Sequence, residues 1–502
     1  MDLEFNKQEL HHLNCVLNQV RSQEETGETV VPDSYPDIGR IVHSYAEPII
    51  RNKECRENCV VISGGIKGGV IYVPENNTEP RDLQFYLPFT TKLESQQITE
   101  EAEITCTCKI DSVDGRVINS RKAMLRVNLS CNIVIYESSK ELLFEYTSSK
   151  DAIECLENTY VFHFPLETSE KSFVIGDTLE LPVSSPPAEH ILKQCCRLEI
   201  VDKKTVGNKG VFKGNLICKI LYISDDKRLY SHEWQLPFSQ YCEFKSDYDQ
   251  EEMTLLPTIT GYDIEADNQD PSHMFQITLH ALVQSVVFGE HTMKIIEDAY
   301  GISEELLPEW HQYDTQSLLD LKKERQTLRH RLNKKMDELI DTDVYLGHPR
   351  TEQASDVISI IAPVSYHLLG IDDNGELTEI VDSTGAEQRY GLAENVQCMA
   401  QAEMTGSITC SLFSDGTEVA CDVRQTAGFY MLQELKTLCG GRTEVKQNNS
   451  KRPSLIIKKI EKECDLWSIA KENHARVNTI CAVNHLKDKT LAEDQMLLIP
   501  VG

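Results

Sequence analysis

Two stretches of the 502-residue sequence carry residue types that catalysis or phosphate binding would need. The run from Gly64 to Gly69 contains four glycines and a lysine, but the Gly-x4-Gly-Lys-Ser/Thr spacing of a phosphate-binding loop is absent. His232-Glu233 begins like the helix of a zinc peptidase, yet Leu236 stands where the second histidine would be. We therefore expect no catalytic residue, no cofactor and no enzymatic activity. The glycine run itself is typical of a β-hairpin.

Thiol groups are the other candidates for chemistry, because the chain contains 17 cysteines. Cys106 and Cys108 share one face of a predicted strand, and Cys195 is followed directly by Cys196. Neither pair has the CxxC…CxxC spacing of a zinc site, so we expect no metal site. The N-terminus lacks the basic and apolar regions of a secretion signal, which favours reduced thiols in the cytoplasm. Crosslinking after release into an extracellular shell stays an alternative role for the thiols.

Length and charge limit the number of domains and the class of partner. A chain of 502 residues is too long for one hydrophobic core, so three or four domains are expected. The formal net charge of −30 argues against nucleic acid or an anionic membrane surface as the main partner. No stretch approaches the roughly 18 apolar residues of a membrane span, so we expect no membrane insertion.

The last fifty or so residues have the clearest pattern. An apolar stretch at 455–457 precedes a helix that begins at Asp465, and a second short helix covers 477–483 before an apolar stretch at 497–500. This order predicts a small βααβ unit. The unit resembles a LysM domain, a module that usually binds glycans containing N-acetylglucosamine.

The resemblance implies a binding groove, but its sugar-binding positions differ from the usual pattern. Glu463-Cys464-Asp465 replaces the usual Gly-Asp-Thr, which removes a backbone freedom that glycine supplies and adds negative charge. Glycan binding and a LysM fold reused for protein contact both stay open. Trp467 is either the anchor of a tiny core or a contact residue, and its size favours the core. The groove residues implied by the resemblance are Glu463, Cys464, Asp465, Leu466, Trp467, Asn484, His485 and Leu486.

The rest of the chain contains an internal repeat with a period of about 150 residues. Tyr72 and Tyr222 occupy matching apolar stretches, and Leu-Pro-Phe follows at 87–89 and again at 236–238. A third, more divergent copy is indicated near 366–375. Within a copy, residues 123–136 alternate between apolar and polar, and Asp114-Gly115 indicates a hairpin turn. We therefore predict a mainly β protein of tandem antiparallel β-sandwich-like domains.

Helices are expected in two places outside the repeats and the C-terminal unit. Residues 314–340 place Leu318, Leu328 and Met336 near one stripe, which predicts a linking helix. Seven basic residues cluster there, either as a docking surface for an acidic partner or as a solvated face. The predicted domains are a helical segment at 1–30, repeats at 31–170 and 171–305, a helix with a degenerate repeat at 306–440, a linker at 441–453 and the LysM-like unit at 454–502.

Several short motifs together are similar to those of one family. Val31-Pro32-Asp33, Pro36-Asp37-Ile38, the Leu-Pro-Phe marks and Glu297-Asp298-Ala299-Tyr300 resemble SPOCS domains of sporulating, clostridia-like bacteria. Several SPOCS copies followed by one LysM domain is the layout of the SipL-like family of spore coat morphogenesis proteins.

This resemblance implies a non-enzymatic scaffold for spore coat assembly. Such a scaffold would be located in the cytoplasm of the mother cell, at the forespore surface and spore coat. Its LysM domain would bind a SpoIVA-like morphogenetic ATPase of the coat basement layer. The alternative is a peptidoglycan-binding protein whose LysM domain holds N-acetylglucosamine glycan and tethers the repeats to cortex or cell wall.

Overall fold

The computed structural model of the protein describes residues 2–76, 79–147, 153–268, 270–391, 396–445, 453–460, 465–486, 491 and 495–500. Strands make up almost all of the regular structure. Before the C-terminal unit they are β1 (Phe5–Val30), β2 (Ile38–Arg56), β3 (Cys59–Pro74), β4 (Arg81–Glu94), β5 (Glu103–Asn119), β6 (Lys122–Tyr146), β7 (Ile153–Glu180), β8 (Ala188–Val206), β9 (Lys209–Ser224), β10 (Leu229–Glu243), β11 (Glu252–Ala266), β12 (Met274–Gly301), β13 (Glu304–Leu332), β14 (Glu338–Leu346), β15 (Arg350–Ala354), β16 (Val357–Ile371), β17 (Leu377–Gly391), β18 (Val396–Phe413) and β19 (Gly416–Val445).

Strand pairing groups these elements into three sets, each with two antiparallel sheets. The first set pairs β1-β6-β5 and β2-β3-β4, and the second pairs β11-β12-β7 and β10-β9-β8. One sheet of the third set has the order β13-β19-β18. In its other sheet, β16 lies between β14 and β17 and also pairs with β15. Each set encloses its own cluster of buried apolar side chains. The mainly β prediction is confirmed, and the third copy has the same plan as the others.

Both predicted helices outside the C-terminal unit are wrong. Residues 5–30 form β1, which pairs with β6 along its whole length. Most of 314–340 belongs to β13, which pairs with β19, and β14 begins at Glu338. The leucine spacing in this stretch matches a helix, but pairing with a 30-residue strand satisfies its backbone groups instead. The predicted basic helix face therefore does not exist.

Three local predictions also differ from the structure. Gly64 and its neighbours lie inside β3 rather than at a hairpin turn, and a Cβ atom at Gly65 would lie 2.1 Å from the Tyr86 hydroxyl, which favours glycine there. Strand β5 continues through Asp114 and Gly115, and the turn comes after Asn119. Strand β19 runs to Val445, so the first five residues of the predicted linker are strand, and 446–452 lie outside the described residues.

The predicted domain limits remain a prediction, and strand pairing favours different positions for them. Strand β7 crosses the predicted limit at 170/171 and pairs with β12, so it belongs with the second set of sheets. Likewise, β1 belongs with the first set rather than with a separate segment. Strand pairing favours limits near 5–146, 153–301 and 304–445.

The three sets meet at a buried cluster of charged side chains, which we call the ionic hub. Its central members are His43, Lys193 and Asp343, each following the previous one by one repeat period. The Nε2 atom of His43 lies 3.0 Å from Asp343 Oδ2 and 3.3 Å from the Lys193 ammonium, which also pairs with Asp343. Equivalent positions of the three copies thus meet, and each contributes a different charge type.

A second layer of charges completes the ionic hub. Lys193 lies 2.7 Å from Asp341, and Lys219 donates a 2.6 Å hydrogen bond to the carbonyl of Thr342. Glu379 accepts from both His43 and His367, at 2.8 and 2.9 Å. Burial alone would raise the pKa of Asp343, but the two ammonium groups hold it well below its usual range. The network therefore stays ionised although water is excluded.

Candidate functional site

The C-terminal unit has the predicted βααβ order. It consists of β20 (Leu455–Lys459), α1 (Leu466–Asn473), α2 (Val477–Val483) and β21 (Met496–Pro500), with β20 and β21 antiparallel. The two helices bury Ile469 and Ile480 against Leu497 and Ile499 on the inner face of the sheet. This small core is the frame on which the predicted groove residues are placed.

Asp465 and Leu466 are used by the fold of the unit itself. Asp465 is the N-cap of α1: its carboxylate accepts from the backbone N–H of Ser468 at 2.8 Å and from the Ser468 hydroxyl. These hydrogen bonds lower the pKa of Asp465. The Leu466 side chain is buried in the core. Glu463 and Cys464, the other residues predicted at this groove entrance, lie outside the described residues.

Asn484 is also structural. Its side-chain amide donates to the carbonyls of Ile480 and Leu498 at 2.8 and 2.6 Å, and its carbonyl accepts from the Leu498 N–H at 2.8 Å. The side chain therefore acts as a strand partner that ties the end of α2 to β21. His485, with a positive φ of 55°, is exposed, while Leu486 packs partly on the core. Of the predicted groove residues described, Asp465 and His485 are exposed, and Asp465 is already used as the N-cap of α1.

Trp467 contacts a different part of the chain. Its indole N–H donates to Asp298 Oδ2 at 2.8 Å, and its ring meets the Tyr300 ring edge-on with 5.0 Å between centroids. Lys471, one turn along α1, places its ammonium 2.7 Å from both oxygens of Asp298. Asp298 and Tyr300 belong to the end of β12, so the second set of sheets holds the tryptophan face of α1.

The contact continues past the end of α1, and we call the whole of it the LysM dock. Tyr300 donates from its hydroxyl to the Ala475 carbonyl at 2.7 Å, and the His474 ring lies 2.9 Å from the Gly301 carbonyl. Tyr300 is only 4% exposed and forms part of the hydrophobic core of the C-terminal unit. The Glu-Asp-Ala-Tyr motif noted in the sequence therefore forms the contact that holds the LysM-like unit. Sequence analysis placed this motif in the repeat without predicting its contact.

The outer face of β20 and β21 is exposed and carries apolar side chains, together with Lys459 opposite Met496. Leu455 and Ile457 are 48% and 59% exposed, and Met496 is 58% exposed. Strand register places Ile457 opposite the half-buried Leu498, and Leu455 opposite Pro500. Because strand side chains alternate, this face points away from the helices and from the LysM dock. It is the surface of the unit best suited to a protein partner, and sequence analysis did not single it out.

Two clusters of the described residues have the spacing of metal ligands. His43, Asp341 and Asp343 form one, but the ammonium groups of Lys193 and Lys219 already neutralise these carboxylates. Cys106, Cys108 and Cys131 form the other. The 16 cysteines that the structure describes are all free thiols.

Comparison with known proteins identifies the domains. The family model described as SipL, SPOCS domain matches residues 37–118 and 187–265, and the LysM domain model matches residues 465–500. No curated protein and no solved structure gives a significant match. The two matches to the SPOCS model lie in the first two sets of sheets, and the third set is assigned from its strand arrangement.

These families set the broad function. SPOCS and LysM domains are non-catalytic binding modules, and together they indicate a sporulation-related protein with a domain of the peptidoglycan-binding type. In the part of the chain that the structure covers, neither α1 nor α2 has the length and apolarity needed to cross a lipid bilayer. The chain is therefore similar to the SipL family in its two SPOCS regions and to LysM domains near its C-terminal end.

Proposed function

We propose that the protein is a non-enzymatic scaffold for spore coat assembly that binds a SpoIVA-like morphogenetic ATPase through its LysM domain. The three sets of sheets form the rigid body of this scaffold, and the LysM dock holds the LysM domain at one end of β12. The protein works in the mother cell, at the forespore surface.

The exposed apolar face of β20 and β21 carries this proposal. Isolated apolar side chains are common on protein surfaces, but several on one face of one small sheet are typical of protein contact. Here Leu455, Ile457, Leu498 and Met496 lie side by side. A sugar ring would instead need a groove with freely available polar groups. The partner surface is therefore this face.

The state of the groove residues supports the same conclusion. The side chains of Asp465 and Asn484 hydrogen-bond to the domain's own backbone, and the Trp467 indole donates to Asp298. A ligand in the groove would have to compete for these groups. A protein partner on the outer face of the sheet leaves all of them in place.

The test is a binding titration of the full chain against the purified SpoIVA-like ATPase. Ile457→Asp puts a charge at the centre of the apolar face, and we expect it to weaken binding at least tenfold, as at other interface centres. Leu412→Asp, at an apolar residue of β18 that is 41% exposed, is the matched control and should bind normally. Equal affinity for both variants would contradict the proposed surface.

Binding of peptidoglycan is the second candidate function. The LysM match itself and the exposed His485 beside the predicted groove favour it. In that case the full chain should be retained on purified sacculi, and His485→Ala should reduce retention while Ile457→Asp has no effect. Retention that depends on His485, together with no affinity for the ATPase, would replace the scaffold proposal with this one.

A further inference from the structure

Three thiols meet inside the first set of sheets. Cys106 and Cys108 occupy one face of β5, and Cys131 lies directly opposite Cys108 on β6. Their three sulfur atoms all lie within 4.8 Å of one another, with 4.0 Å between those of Cys106 and Cys108. Cys106 and Cys131 are completely buried, and Cys108 is half-buried. No other set of three thiols among the described residues has this geometry.

The 4.0 Å between the Cys106 and Cys108 sulfurs is close to the sulfur–sulfur separation of a zinc site. With zinc–sulfur bonds of about 2.3 Å and tetrahedral angles, neighbouring sulfur atoms lie about 3.8 Å apart. The hydroxyl of Thr91, a buried residue of β4, lies 3.7 Å from the Cys131 sulfur, close to the roughly 3.6 Å expected between a sulfur and an oxygen ligand. The Thr91 hydroxyl donates its proton to Gln23 Oε1 at 2.7 Å, and its oxygen lies beside the Cys131 sulfur of the three-thiol cluster.

The surroundings keep these groups in place. Gln284 of β12 donates to the Cys106 carbonyl and accepts from its N–H, both at 2.8 Å, which holds the β5 backbone. Lys53 of β2 donates to the carbonyl of Ile104, two residues before Cys106, at 3.1 Å, and its ammonium also pairs with Glu170. A ligand set held in this way needs little rearrangement to accept an ion.

We propose that Cys106, Cys108 and Cys131 bind one zinc ion, with the Thr91 hydroxyl in the fourth position. Binding releases the thiol protons to solvent, and the three thiolates with Zn²⁺ leave one net negative charge near Lys53. The half-buried Cys108 is the side from which the ion enters. The ion links β5 to β6 and stabilises the first SPOCS domain. The sequence contains only a Cys-x-Cys pair and a distant third cysteine, so spacing alone could not reveal this site.

Zinc titration of the reduced full chain tests the proposal, with a chromophoric chelator as competitor. We expect one tightly bound zinc per chain in the natural protein and none in Cys131→Ser. Cys196→Ser is the matched control, because Cys196 is a buried thiol whose sulfur lies 3.9 Å from that of Cys218, with no third thiol beside them. This control should keep the full stoichiometry. No tight zinc in the natural protein, or the same zinc content in Cys131→Ser, would overturn the proposal.

A second measurement keeps the test decisive where Cys131→Ser fails to fold. Cobalt or cadmium bound to the natural protein gives a sulfur-to-metal charge-transfer absorption whose intensity counts the thiolate ligands. Three thiolates per ion are expected. An intensity corresponding to fewer than three, or a disulfide between Cys108 and Cys131 found by mass spectrometry of the protein as isolated, would refute the site.

Discussion

Removing the Asp298 carboxylate should release the LysM domain from the second set of sheets. Asp298 accepts one hydrogen bond from the Trp467 indole and pairs with the Lys471 ammonium. A hydrogen bond to a charged group contributes about 1.5–3 kcal/mol. The ion pair adds less than about 1 kcal/mol, because both side chains are partly exposed. Asp298→Ala should therefore weaken the LysM dock by about 2–3 kcal/mol, which is roughly 30- to 150-fold in the opening equilibrium.

Trp467 is a direct reporter of this opening. Replacing Trp234 and Trp310 by Phe leaves Trp467 as the single tryptophan, because the chain contains three. Urea titration followed by its emission then measures release of the domain. With a slope of about 1–2 kcal/mol per molar, the midpoint should fall by about 1–3 M in Asp298→Ala.

Glu297→Ala provides the control one residue away. Glu297 bonds to Asn158 and Tyr160 on the neighbouring strand and has no contact with Trp467 or Lys471 among the described interactions. Its midpoint for Trp467 should stay at the natural value. Equal midpoints for the Asp298 and Glu297 variants would refute the assignment of Asp298 as the anchor of the LysM dock.

Four further outcomes follow from the same contacts. Lys193→Met removes one of the two ammonium groups that neutralise the buried Asp341 and Asp343, so it should lower the free energy of unfolding by about 3–5 kcal/mol in calorimetry. The apolar triple variant His43→Leu/Lys193→Met/Asp343→Leu should recover most of this loss. An unchanged melting temperature in Lys193→Met would be inconsistent with the hub. Burial lowers the pKa of His43, but Glu379 and Asp343 outweigh this effect and raise the pKa to about 9. The stabilisation by His43 is therefore complete below its ordinary pKa of 6.5 and is lost as the pH rises to about 9. Denaturant midpoints should fall over that pH range in the natural protein and not in His43→Gln. Asn484→Ala leaves the Leu498 backbone groups unpaired and should destabilise the LysM domain by about 1–3 kcal/mol, while a loss of partner binding with unchanged stability would make Asn484 a contact residue instead. A chain ending at Val445 keeps all of β19 and should be soluble and folded. A chain ending at Gly440 loses the pairing of β13 with 441–445 and should be less stable. Equal stability of the two chains would contradict that role of the last five residues.

The sequence was sufficient for the features that depend on local pattern. Period-two alternation predicted the strands of the repeats, and the order of apolar stretches and caps predicted the βααβ unit with Asp465 at the start of α1. These patterns show which face of a strand or helix is buried, and that face is determined by the local geometry of the element itself.

The predictions that failed depended on distant partners. The leucines at 318 and 328 have helical spacing, but β19, which pairs with them from about 100 residues away, decides the conformation of β13. The hub could not be predicted, because His43, Lys193 and Asp343 are different residue types at equivalent positions, so a search for repeated residues passes over them. The same is true of the LysM dock, where Asp298 meets Lys471 across 173 residues.

We propose the outer face of β20 and β21 as the surface through which the LysM domain binds a protein. The most direct measurement is the affinity of the full chain for the SpoIVA-like ATPase and for soluble N-acetylglucosamine oligomers, each with the natural protein and with Ile457→Asp. We expect the full chain to bind the ATPase, with affinity that Ile457→Asp weakens at least tenfold, and not to bind the oligomers. Binding to the oligomers alone, unaffected by Ile457→Asp, would contradict this proposal.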